Sequence, residues 1–324
     1  MLRLQRTIGA RAGSGNSTAG LCTGVPQRVG SRIALVLALL LAAVLCAIAP
    51  AVADELFVET RDGQRRAVVL PARERSAPTV IVLHGAATTA NLTASWSGFA
   101  EAAAGHGFAA VFPQGMFTVW NDGRRDGIAK ADDVGFLRAL VGKLIGRGVA
   151  DPRRIYLAGI SNGGMLTLRM LCEHPELFAG AGTVVASMPA LVGATCRLDK
   201  PMPVVMLNGT ADPVVPYKGG TVGMTGNYGE VWPVERTAAF LAWGNGCTRH
   251  AERALGGSDR AAITVTRLDW GPCRSGQPVV LYRVEGGGHQ VFGATNIVPL
   301  ILGPGTSQIS APEVILSEFA KGRS

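Results

Sequence analysis

Residues 153–175 read RRIYLAGISNGGMLTLRMLCEHP. A strand-forming run, RRIYLAG, stops at a serine set between glycines, and a helix-forming run, GGMLTLRMLCEH, takes over. Gly159-Ile160-Ser161-Asn162-Gly163 fits G-x-S-x-G between a strand and a helix, the context of a nucleophile elbow. A sharp turn there projects the serine hydroxyl from the carboxyl edge of a sheet. Flanking glycines remove the Cβ atoms that would collide with the neighbouring strand and helix. The helix N-terminus then faces the reacting oxygen and favours developing negative charge. The alternative reading is a plain Gly-Ser turn.

The segments on either side read as alternating strands and helices. "ELFVET" and "AVVLP" flank a turn with Asp62-Gly63, which predicts a hairpin. "TVIVLHG", Thr79–Gly85, is a β-branched run suited to a strand buried on both faces of a parallel sheet. "ASWSGFAEAAAGHG" has helical character, "FAAVFPQG" reads as a strand, and "WNDGRRDGIAKAD" as a polar loop. Val134, Leu137, Val141 and Leu144 mark a helical face in "DVGFLRALVGKLIGRG". Beyond Pro175, "FAGAGTVVA" and "PMPVVMLNGT" read as strands and "VERTAAFLAWGNGC" as a helix. "AAITVTRLDW" and "PVVLYRV" look like two more strands, and "EVILSEFAKG" closes as a helix. This succession predicts an α/β fold: a mostly parallel central sheet with helices on both faces, in a single domain.

Ahead of that domain, Ile33–Ala49 is apolar throughout, Arg28 and Arg32 precede it, and "AVA" at residues 51–53 precedes Asp54. These are the parts of a signal peptide spanning residues 1–53, and they predict a secreted or periplasmic protein. An uncleaved membrane anchor is the alternative. Leu45 before Cys46 is too bulky for an ordinary lipoprotein site. The whole chain is net +8, with 31 basic and 23 acidic residues; setting aside the leader's five arginines leaves 26 against 23, net +3. That balance does not support a nucleic-acid or membrane-surface partner. Residues 54–324 are enough for a full core. A monomer is expected.

Cys172, Cys196, Cys247 and Cys273 follow the leader. An even count in an exported chain points to two disulfides. Three pairings are possible; Cys172–Cys196 with Cys247–Cys273 closes the shortest loops. There is no C-x-x-C and no pair of histidines at ligand spacing, so no metal site is expected.

A nucleophilic serine needs a base and an acid. His84, His106 and His174 lie outside the region between the last strand and the C-terminal helix. His250, in "CTRHAER", reads as part of a solvated loop. His289, in "VEGGGHQVFG", follows a strand and best fits the chain order Ser, Asp, His. Asp212, in "NGTADPVV", follows a buried strand and is the candidate acid, to hold His289 in one tautomer; an Asx-turn aspartate is the alternative. Asp199 precedes its strand, and Asp259 and Asp269 lie in polar or extra-strand regions. Oxyanion donors are expected from the backbone N–H of Asn162 and from Ala86, with Ala87 second.

"VLHG", "GHGFAAVFPQG", "WNDGRRDG", "DDVGFL", "GISNGGM", "CEHPELFA", "NGTADPVVPY", "NGC" and "GGGH" follow one another here in the order found in secreted polyhydroxybutyrate depolymerase and feruloyl esterase-like α/β-hydrolases, a group like carbohydrate esterase family one. The chain resembles that family from about Val82 to about Gly293. The resemblance implies an α/β-hydrolase fold, no cofactor, and cleavage of carboxylic esters through a Ser161 acyl-enzyme with Asp212 and His289. The substrates implied are hydroxybutyrate-type oligomers or feruloyl and acetyl esters. After the histidine the family often carries Trp-Pro; here Gln290 begins "QVFG", which alters the contact beside His289. Trp120, Asn121 and Arg124, with Trp96 and Gln290, are candidate substrate contacts, against a core role for the tryptophans. A non-catalytic binding protein on the same fold and a serine peptidase are the rival readings.

Overall fold

The computed structural model describes residues 53–125, 127, 129–225, 228–256 and 263–321. Residues 1–52 of the expected signal peptide, Cys46 among them, lie outside the described residues, as does Asp259.

Ten strands form one sheet. Its strands are β1 (Asp54–Thr60), β2 (Gly63–Leu70), β3 (Ala77–Leu83), β4 (Ala109–Pro113), β5 (Ala150–Ile160), β6 (Gly180–Val184), β7 (Val204–Gly209), β10 (His250–Ala254), β11 (Thr264–Trp270) and β12 (Val279–Glu285). The order across the sheet is β1-β2-β4-β3-β5-β6-β7-β12-β11-β10. The six central strands, β4 to β12, pair in parallel. Antiparallel pairs flank them on both sides. A separate two-stranded ribbon joins β8 (Gly220–Thr221) to β9 (Glu230–Val231).

The central strands are apolar without alternation because both their faces are covered. Along β3, Ile81 and Leu83 enter one core and Val80 and Val82 the other. Along β5, Ile155 and Leu157 oppose Tyr156, Ala158 and Ile160 in the same way. Helices α3 (Asp133–Gly146), α4 (Asn162–Glu173) and α6 (Val234–Gly244) cover the first face. Helices α2 (Phe99–Gly105) and α8 (Ala311–Lys321) cover the second. The fold is a single-domain α/β-hydrolase fold.

Several segments differ from expectation for local reasons. The helix expected over 94–107 is two, α1 (Ala90–Trp96) and α2, because Gly98 adopts φ 79. The two hairpin residues are Arg61 and Asp62, with Gly63 already paired to Thr60. His250 lies on the exposed edge strand β10, not in a loop. Two short helices, α5 (Ala190–Thr195) and α7 (Pro299–Leu302), have too few residues for a legible period. Disulfides join Cys172 to Cys196 and Cys247 to Cys273. Among the described residues no helix is long and apolar enough to cross a membrane.

The chain passes from β4 across β3 to β5, so the sheet's order reverses beside β3. Ligand crevices in open α/β sheets form at the carboxyl ends of strands at such a switch. Leu157 of β5, paired with Ile81 of β3 and Ala181 of β6, is fully buried in the first core beside that switch. Leu157→Ala should cost about 2–5 kcal/mol in chemical denaturation.

Candidate active site

Ser161 sits where β5 ends and α4 begins, with φ 54 and ψ −119. Glycines make the turn possible. A Cβ on Gly163 would lie 2.5 Å from His84 O and 2.6 Å from Leu83 O. One on Gly159 would meet the Gly163 carbonyl, and one on Gly164 would lie 2.6 Å from Ala186 Cβ. The helix therefore starts in contact with the end of β3, and any side chain at these positions would push it away.

The loops after β7 and β12 deliver the other two groups. They are cross-bonded: Ala211 N–H donates to Gly287 O at 2.9 Å, and Gly286 N–H to Thr210 Oγ1 at 2.9 Å. Asp212 Oδ1 accepts the N–H groups of Val214 and Val215 at 2.7 and 2.8 Å. Its Oδ2 is left to accept His289 Nδ1–H at 2.7 Å. With Nδ1 carrying the proton, His289 Nε2 accepts the Ser161 hydroxyl at 2.9 Å. The three residues selected from chain order thus stand in one hydrogen-bonded line. The Asx turn and the contact to histidine turn out to use different oxygens of one carboxylate.

The loop after β3 lies against Ser161. A Cβ on Gly85 would be 3.6 Å from Ser161 Cβ. Ala86 N–H makes no hydrogen bond to any described residue, whereas Ala87 N–H donates to Thr118 O at 3.0 Å. Ala87 is thereby occupied, and Ala86 and Asn162 are the two backbone N–H groups available beside the serine.

His84 pins this loop from below. Its Nδ1–H donates to Gly85 O at 2.7 Å and its Nε2 accepts Gly115 N–H at 2.9 Å. Accepting at Nε2 while donating from Nδ1 requires a neutral ring. Burial lowers its pKa to about 4, with the nearby Arg65 charge acting in the same direction and the Gly85 bond opposing. Arg65 itself is buried and pairs with Asp133 at 2.7 Å. Burial pushes the Asp133 carboxyl up, against the opposing pull of Asn121 N–H and Arg65.

The expected substrate contacts fall elsewhere. Trp120 is 1 % exposed and belongs to the core; its indole N–H donates to His84 O at 2.9 Å. Asn121 is tied to Asp133 Oδ2, Ala131 O and Arg169. Gln290 is buried and bonds Ile297 and Gly303. Trp120 and Gln290 are thus buried, and Asn121 is half-buried with its amide engaged by neighbouring groups. Trp96 is half-buried against the second core.

One functional group was not legible in the sequence. The Asn162 side chain accepts Trp120 N–H at 2.7 Å and donates to Trp120 O at 3.0 Å and Asp122 Oδ2 at 2.6 Å. Asp122 is buried and pairs with Arg124 at 2.7 Å. Arg124 in turn donates to Tyr228 O at 2.6 Å. The residue after the serine is therefore held by its side chain, so its backbone N–H has a fixed direction. The only hint was the run of polar residues in "WNDGR", which reads as an ordinary loop.

A cavity of about 270 Å³ borders Gly123, Arg169, Glu173, Leu191 and the Cys172–Cys196 disulfide, and none of the triad residues lines it. Among the described residues no group of three or more His, Cys, Asp or Glu could hold a metal ion.

The chain is 30 % identical over 264 residues to "Putative esterase NocK" of Nocardia uniformis subsp. tsuyamanensis, covering 78 % of this chain and 76 % of that one. It is 29 % identical over 227 residues to "Feruloyl esterase B" of Piromyces equi, covering 67 % of this chain and 40 % of that one. It therefore spans most of the first relative and less than half of the second. The model of the prolyl oligopeptidase family matches residues 124–195, a stretch that holds Ser161 but neither Asp212 nor His289. The solved acetyl xylan esterase from Aspergillus awamori superposes with TM-score 0.52 at 16 % identity, over 76 % of this chain and 96 % of that one. At that identity the likeness is one of fold.

Because the folded-state pKa of His84 is lowered, the unfolded chain takes up the proton first. Stability from this residue is full above pH 6.5 and is lost as pH falls toward about 4. The loss is on the order of 3 kcal/mol, and thermal melts of wild type and His84→Asn at pH 7 and 4.5 should show a shallower acid loss in the variant. Asp122→Ala leaves Arg124 and Asn162 without their buried partner. It should cost about 3 kcal/mol in denaturation, with Asp122→Asn recovering part of it.

Proposed function

This chain belongs to the α/β-hydrolase-superfamily esterases, in one family with NocK, and from that premise we propose that it is a carboxylic ester hydrolase acting through Ser161, His289 and Asp212. The observation that carries the reading is the line Ser161 Oγ, His289 Nε2, His289 Nδ1, Asp212 Oδ2, with bonds of 2.9 and 2.7 Å. In the proposed cycle His289 Nε2 takes the hydroxyl proton as Ser161 Oγ attacks the ester carbonyl. Asp212 stabilises the imidazolium that forms. The oxyanion is received by the N–H groups of Ala86 and Asn162, each worth roughly 3 kcal/mol at the transition state. His289 returns its proton to the leaving alcohol. Water, deprotonated by the same nitrogen, then releases the acid from the acyl-enzyme.

The acyl group belongs to the proposal as well. Relatives carry the names feruloyl esterase, acetylxylan esterase and poly(3-hydroxybutyrate) depolymerase. Hydroxybutyrate-type oligomers and feruloyl or acetyl esters are therefore the candidate substrates, handled by residues 54–324 as the catalytic domain after removal of a signal peptide. A second reading, a serine peptidase, draws on the family match around Ser161.

The test is a panel holding an aryl acetate, an aryl butyrate, methyl ferulate, a 3-hydroxybutyrate dimer and a peptide anilide. Wild type should turn over esters and leave the anilide intact. Ser161→Ala should lose at least about a thousandfold in kcat, and a fluorophosphonate should label Ser161. Ester turnover that survives Ser161→Ala, or labelling at another residue, would overturn the assignment. Anilide cleavage would favour the peptidase.

A further inference from the structure

Three segments frame Ser161: residues 83–98 after β3, 113–120 after β4, and 286–312 after β12. None of them contains Asp, Glu, Lys or Arg. The rim they form offers no fixed charge to a substrate.

It does offer apolar surface. Phe117 is 86 % exposed with φ 52, and the next residue, Thr118, accepts the Ala87 N–H. In the third segment Ile297, Val298, Leu300 and Ile301 are all exposed, Leu300 to 99 %. Four neighbouring aliphatic side chains in water are unusual for a soluble domain and mark a contact surface.

This second group sits on a strap, residues 297–303, that is tied to the triad's own loop. His289 N–H donates to Leu302 O at 2.6 Å. Gln290 Nε2 donates to Ile297 O at 2.8 Å and Gly303 O at 2.9 Å, while its Oε1 accepts Ile297 N–H at 2.9 Å. A Cβ on Gly303 would lie 3.7 Å from Ala211 O, next to Asp212. Val298 is held at φ 41, a conformation costly for a β-branched residue, which persists only where the surroundings over-determine it. Gln290 and His289 supply that determination. The strap's backbone is thus tied to the loop that carries His289.

We propose that Phe117 and the strap 297–302 are the walls that take the aliphatic chain of the ester, so that the site selects neutral aliphatic esters over acetyl or charged ones. This rests on the Ser161 reading above. The chain can belong to the acyl or the alcohol half, and the two arms of the experiment distinguish them.

The experiment separates the two readings by measuring binding in Ser161→Ala and turnover in wild type. One arm compares 4-nitrophenyl acetate with the hexanoate; the other compares methyl acetate with hexyl acetate. Each methylene that reaches the walls should tighten binding roughly fourfold, so one arm should gain more than about tenfold. Leu300→Ser/Ile301→Ser should abolish the gain while keeping the wild-type thermal melt, because both side chains are exposed and make no core packing. Phe117→Ser should reduce the gain in the same arm. A gain that survives these substitutions, or no gain in either arm, overturns the proposal. So does a change of oligomeric state in the double variant with chain preference intact, which would assign the strap to a second copy. Chain-dependent binding in Ser161→Ala with no ester turnover in wild type would sink the serine reading and leave the walls in place.

Discussion

The helix that follows Ser161 has no room to move. Its first turn rests on the carbonyls of Leu83 and His84, at a separation only glycine permits. That contact forces Ser161 into φ 54, ψ −119, a region that costs an ordinary residue about 1–3 kcal/mol. The sheet supplies this energy, since β3 and β5 are buried on both faces and cannot relax. The exposed hydroxyl, the direction of the helix N-terminus and the position of the loop carrying Ala86 are all consequences of one close approach.

Around that contact the molecule spends buried polar groups in two layers. The nearer layer holds the proposed triad: Asp212 divides its two oxygens between its own turn and His289. The farther layer holds the holders. His84, Trp120, Asn162, Asp122 and Arg124 bond one another and the backbone of the two loops. Each is satisfied, which is the condition under which a buried polar network adds rigidity rather than cost.

The nearer layer was readable from the chain because its signals are local. A strand, G-x-S-x-G and a helix need only a dozen consecutive residues, and chain order then ranks Asp212 and His289 above their rivals. The sheet was readable for the same reason: β-branched runs buried on both faces do not alternate. The farther layer was not readable. Trp120 and Asn121 gave the same sequence impression whether they faced a substrate or the core, and only the fold decides between them. Asp122 and Arg124 look like solvent-facing loop residues until the Asn162 amide is seen between them. The β10 strand was missed because a fully exposed strand has no apolar period, and α7 because four residues carry none.

The two outer strands share a property with a different consequence. β10, sequence HAERA, is exposed at every residue, and Asp54, Glu55 and Glu59 of β1 are exposed. An open sheet leaves unpaired N–H and C=O groups at both margins, where another chain can add a strand. Here an incoming strand would have to bury His250, Glu252 and Arg253 at one margin and a row of carboxylates at the other. The ions at its borders thus raise the cost of adding a strand at either margin of this ten-stranded open sheet.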